Sequence, residues 1–96
     1  MRKLRDRRAV RRVELGQYVV ADPEVCHGKP TYRGTRIMVW QVLDALARGE
    51  SVEEIVEAWD GKVSQGAIAE TVRLARAALL DEDGQLSQSV YRAAAA

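Results

Sequence analysis

The 96-residue sequence predicts a mainly α-helical domain with a small β-hairpin or ribbon, its helices arranged as a tri-helical helix-turn-helix. Three observations predict it. Apolar residues recur at helical spacing in three successive segments after residue 39; capping signals stand at the seams between them; and glycines and prolines break up the stretch from residue 18 to 39.

In chain order, Tyr18-Val19-Val20-Ala21 has strand character, and Asp22-Pro23, Gly28, Pro30 and Gly34 interrupt the β-branched and aromatic runs Thr31-Tyr32-Arg33 and Ile37-Met38-Val39. A long helix is excluded there, and a ribbon is expected. Val39, Val42, Leu43 and Leu46 then fall at i, i+3, i+4, i+7, which predicts a first helix over Val39–Arg48 with Gly49 as its left-handed cap. Ser51 and Glu54 form a capping box for a second helix carrying Val52, Ile55, Val56 and Trp59. Asp60-Gly61-Lys62 ends it, Ser64 caps a third, and the stripe Ile68, Val72, Ala75, Leu79 carries that helix from Gln65 to Leu80. Past Asp81-Glu82-Asp83-Gly84, the pattern leaves a disordered tail, a short helix and a segment that folds on a partner all open. The expected organisation is a basic arm (1–16), the ribbon and helices (17–80) and a tail (81–96).

A chain of this length forms one domain with a thin core, here without phenylalanine, and sharing apolar surface in a homodimer would help it. No apolar run is long enough for a membrane span and no apolar secretory segment follows the basic start, so a cytoplasmic protein without membrane contact is expected. One cysteine, Cys26, agrees with a reducing compartment. The net charge of +1 conceals an asymmetry: residues 1–12 carry Arg2, Lys3, Arg5, Arg7, Arg8, Arg11 and Arg12 against Asp6 alone, +6 in all, leaving −5 for the rest. Such an arm suits the DNA backbone, and its alternatives are a solvated terminus or a basic helix with Leu4, Val10 and Val13 along one edge.

The segment Tyr18–Ile37, above all Gly28-Lys29-Pro30 and Gly34-Thr35-Arg36-Ile37, followed by Val39–Leu46, Gly49 and Ser51-x-Glu53-Glu54-Ile55, closely resembles the domain-of-unknown-function 433 family over about residues 18–80. The resemblance implies a prokaryotic homeodomain-like helix-turn-helix, similar to the antitoxins of type II toxin–antitoxin pairs, whose toxin is often a nuclease-like protein. The chain departs from the family at the second turn, where Trp59-Asp60-Gly61-Lys62 replaces the usual proline and leucine or tyrosine.

Several residues are candidates for contact. If the third helix enters the major groove, Gln65, Ala69, Glu70, Arg73 and Arg76 fall on or near the face opposite its apolar stripe. Gln65 suits an adenine and Arg73 a guanine or phosphate, while Glu70 either repels phosphate or pairs with Arg73 on an ordinary solvated face. Lys29, Arg33 and Arg36 flank turns that would hold an anion, or else serve the ribbon itself, with Arg36 bonding carbonyls. Trp40 and Trp59 are both read as core or interface anchors, and Trp40, off the main stripe of its helix, is the first choice for a partner or dimer contact. Catalysis finds no constellation: Cys26 and His27 would point to opposite faces of an extended segment, and with one cysteine and one histidine a zinc site would also need two carboxylates or a second subunit. The expected protein is non-enzymatic, needs no cofactor or metal, and binds operator DNA and a nuclease-like toxin. A dimeric interaction adaptor that uses the same fold without DNA is the alternative.

Overall fold

The computed structural model describes residues 11–95. Arg2, Lys3, Arg5, Arg7 and Arg8 of the expected DNA-binding arm lie outside the described residues. The fold is mixed α/β and mostly helical: strands β1 (Val13–Glu14), β2 (Val19–Ala21) and β3 (Thr31–Tyr32) form an antiparallel sheet in the order β1-β2-β3. Helices α1 (Val39–Ala47), α2 (Val52–Ala58), α3 (Gln65–Leu79) and α4 (Gln88–Ala95) follow. The ribbon read from the sequence is β2 and β3, with Val19 opposite Tyr32 and Val20 opposite Thr31. Strand β1 is an addition, paired through Val13–Ala21 and Glu14–Val20, so the stretch read as an arm contains part of the sheet.

Local chemistry sets the helix boundaries. Gly49, at φ 92°, follows α1 and closes it as a left-handed residue does. At the start of α2 the Ser51 Oγ accepts the Glu54 amide at 3.0 Å while the Glu54 carboxylate accepts the Ser51 amide at 2.7 Å, the reciprocal box the sequence predicts. Ser64 likewise accepts the Ala67 amide at 3.1 Å ahead of α3.

The Gly34-Thr35 motif is a turn-forming device. The Thr35 hydroxyl donates to the Tyr32 carbonyl at 2.8 Å and accepts the Ile37 amide at 3.0 Å, which turns the chain so that Ile37 enters the core and Met38 bridges back to Thr31. The Pro30 carbonyl then accepts the Val39 amide and anchors the start of α1.

Helices α1, α2 and α3 pack on one another, and β2 packs on α3. Between them lie Val19, Tyr32, Ile37, Val42, Ala45, Ile55, Val63, Ala67 and Ile68, with Leu46, Trp59 and Leu74 partly buried against this core. Trp59 thus packs against the core, one of the two roles its residue type left open.

The third helix differs from its expected phase. Its buried residues are Ala67, Ile68, Glu70 and Thr71, whereas Val72 and Leu79 of the predicted stripe are 49% and 50% exposed. One residue corresponds to about 100° of helix rotation, so the face that meets the core is displaced by roughly one position. The reason is Glu70, which the sequence placed outside and the fold takes in.

The Cys26–His27 segment also differs from its expected extended form. It is a single left-handed turn in which both residues have positive φ, at 51° and 59°, and the Cys26 thiol lies 3.6 Å from the Arg36 carbonyl. Beyond α3, Leu80 bridges Leu86 in a tight reversal and α4 forms, which resolves the tail left open by the sequence in favour of a short helix.

Candidate nucleic-acid interface

Glu70 organises the candidate site from within. Its carboxylate accepts the amides of Gln17 at 2.8 Å, Tyr18 at 2.8 Å and Val19 at 3.0 Å, tying the β1–β2 connection to α3. Burial pushes this carboxyl up; the three amides, with a smaller attraction from the Arg73 guanidinium, overcome that and hold it below its ordinary value. The approach is close enough that a Cβ on Gly16 would stand 2.5 Å from the carboxylate, so residue 16 is required to be small. A turn earlier, a Cβ on Gly66 would meet the Tyr18 hydroxyl at 2.8 Å.

The same connection is held from its other side. Arg33 donates from Nε to the Gln17 carbonyl at 3.0 Å and from Nη2 to the Gly16 carbonyl at 3.1 Å, and it pairs with Glu14. Amides of residues 17–19 therefore go to a helix carboxylate, and carbonyls of residues 16–17 to a strand guanidinium. Carbonyl bonding was expected of Arg36; the structure gives it to Arg33, because the Tyr32–Thr35 turn sets Arg33 against the β1–β2 connection. Behind these contacts the Thr71 hydroxyl donates to the Ala67 carbonyl at 2.8 Å and so accepts from the Tyr32 hydroxyl at 2.7 Å. Burial pushes the Tyr32 pKa up, the Thr71 contact opposes this, and the charge of Glu70 adds to it.

With Glu70 turned in, the outward face of α3 presents Gln65, Ala69, Val72, Arg73 and Arg76, all exposed. The pairing of Glu70 and Arg73 on a solvated face is thereby replaced by capture of backbone amides. Gln65 stands apart from the two arginines in one respect: it borders a groove of about 620 Å³ between α2 and the start of α3, floored by Val52 and Val56 and rimmed by Glu53, Glu57 and Asp60. Acidic side chains therefore border the first turn of α3, and the two arginines stand on its third and fourth.

The turn residues divide. Arg33 and Arg36, with Arg12 and Asp22, line a cleft of about 550 Å³ over Val20 and Thr31, while Lys29 is exposed elsewhere. Glu14 pairs with both Arg12 and Arg33, and the hydrogen bond from Arg33 is the leading cause that lowers its pKa. Two of the three arginines in the cleft thus already serve the sheet. Trp40 is 49% exposed, its Nε1–H directed at the Met38 sulfur at 3.3 Å. Arg11 and Arg12, the described cations of the arm, are exposed ahead of β1. Among the described residues, no group of three or more histidine, cysteine or acidic side chains is placed to hold a metal ion, and no helix is long and apolar enough to cross a membrane.

Fold and site together define a small, mostly helical α/β domain in which a three-stranded sheet is clamped onto the last of three packed helices. The chain belongs to the family described as "Protein of unknown function (DUF433)", which matches residues 19–72. It is also 42% identical over 43 residues to the uncharacterized protein y4eO of Sinorhizobium fredii (strain NBRC 101917 / NGR234), an alignment covering 45% of this chain and 20% of that protein. The match thus spans about a fifth of the relative's length. No solved structure matches significantly.

Proposed function

We propose that this chain is an antitoxin-like regulator that binds operator DNA through α3 and its basic N-terminal segment and occupies a nuclease-like toxin. In this reading α1–α3 are a homeodomain-like tri-helical unit, with α2, the turn at residues 59–64 and α3 as its helix-turn-helix. The observation that carries it is the inward capture of Glu70. An exposed carboxylate among Gln65, Arg73 and Arg76 would repel phosphate; turned in and satisfied by three amides, it leaves that face to the two arginines. The acidic rim beside Gln65 assigns Arg73 and Arg76 to phosphates more readily than Gln65 to a base. The toxin half of the reading draws on the family resemblance, with Trp40 as the exposed anchor.

Fluorescence anisotropy against the DNA upstream of the protein's own gene, at several salt concentrations, tests the DNA half. Arg73→Ala and Arg76→Ala are each expected to weaken binding and to flatten the log–log salt slope by about one unit. Removal of residues 1–10 flattens it further, and Glu53→Gln with Glu57→Gln strengthens binding. If the intact chain retains no DNA at low salt, the reading fails. A second reading, an interaction adaptor without DNA, is favoured by the exposure of Val72 on the same face as the arginines. It requires Val72→Ser to abolish partner capture while Arg73→Ala leaves capture intact.

A further inference from the structure

We propose that the C-terminal hook, from Leu79 to Ala95, is the surface through which two copies of this chain pair. Helix α4 has eight residues, buries none of them, and packs broadly on no other described element. Helices shorter than about 12 residues are marginal alone in water. What holds α4 near α3 is short: the Leu80–Leu86 bridge, the Ser87 amide on the Leu79 carbonyl at 2.7 Å, and the Ser87 hydroxyl on the Ala78 carbonyl at 3.0 Å. Around that joint Leu79, Leu86 and Tyr91 are 50%, 43% and 59% exposed, which concentrates bare apolar surface at one end of the molecule.

Charge identifies the occupant. The same end presents Glu82 and Asp83 in the turn and Arg92 on α4, and none of these three makes an ion pair among the described residues. A partner of a single charge would satisfy one sign and oppose the other. A second copy related by a two-fold axis satisfies both, because each contact then occurs twice with the roles exchanged: the Arg92 of each copy meets the acidic turn of the other while the leucines and Tyr91 close between them. The inference rests on the hook alone and stands whether or not α3 contacts DNA.

Sedimentation velocity of the full chain, across a micromolar concentration range, tests it. The unaltered chain is expected to dimerise reversibly and less tightly at high salt. Leu79→Asp and Tyr91→Ser should each weaken association by about tenfold or more, with unchanged circular dichroism, since neither side chain reaches the core. Arg92→Glu and the double variant Glu82→Lys/Asp83→Lys should each be monomeric, and mixing the two should restore a paired species. Asp81 is kept because its carboxylate receives the amides of Asp83 and Gln85. A wild-type chain that stays monomeric overturns the proposal, as does a dimer that all these variants leave intact. A mixture of the two charge variants that stays monomeric refutes the assignment of a second copy.

Discussion

The two halves of α3 obey different rules. From Gln65 to Thr71 the helix is embedded: Ala67, Ile68 and Thr71 enter the core and Glu70 receives three amides from the sheet. From Val72 to Leu79 no residue is buried, and Leu74 alone is shielded to an intermediate degree. One continuous helix is thus a structural member at its start and a display surface at its end. The contrast teaches that apolar character alone does not decide which residues are core here; a buried carboxylate does more to orient this helix than Val72 or Leu79.

The largest effect that would break the contrast is Glu70→Ala. It strands three partly buried amides, and a loss of about 3 kcal/mol in unfolding free energy is expected from urea titration. Glu70→Gln, which keeps one acceptor oxygen without charge, should lose less. Next comes acidity. The folded pKa of Glu70 lies below its ordinary value of 4.5, so its contribution is fully present above the unfolded pKa and is lost as pH falls through the folded one. Thermal melts of the wild type between neutral and acid pH should show that decline, and Glu70→Gln should flatten it.

Gly16→Ala follows, at about 1 to 2 kcal/mol, because the added methyl displaces a carboxylate that cannot move without stretching its hydrogen bonds. Gly66→Ala sharpens the comparison: alanine is the better helix former by about 1 kcal/mol, yet its Cβ meets Tyr18. A small net destabilisation is expected, relieved in part by adding Tyr18→Phe, and a double-mutant cycle measures the coupling. The smallest effect belongs to the display half, where Val72→Ser should change monomer stability by less than about 0.5 kcal/mol.

Features encoded within a few residues were legible in the sequence. Ser51 with Glu54, Ser64 and Gly49 act over three or four positions, and the starts of α2 and α3 and the end of α1 fell where they indicated. What could not be read was set by distant partners. Glu70 bonds amides 51 to 53 positions away, and no local period announces that a glutamate belongs on the buried face. In retrospect its place three residues after Ala67 and beside Thr71 was the available signal, together with small residues at Gly16 and Gly66. Carbonyl bonding was expected of Arg36 but belongs to Arg33, whose partners are the carbonyls of residues 16–17, 16 to 17 positions away in the chain. Strand β1, two residues long, lies below the length at which alternation can be seen. The positive φ of Cys26 and His27 likewise left no trace, since neither residue is one that turns commonly select for it.

The three-amide clasp also fixes how motion would travel. The segment from Gln17 to Val19 runs between α3 on one side and β1 on the other, and Glu70 grips it where the helix leaves the core. Rolling α3 about its axis would therefore drag the strand edge with it, and with the edge Arg12, just ahead of β1. The angle of the helix and the position of β1 become one degree of freedom, so a ligand that fixes either would set the other.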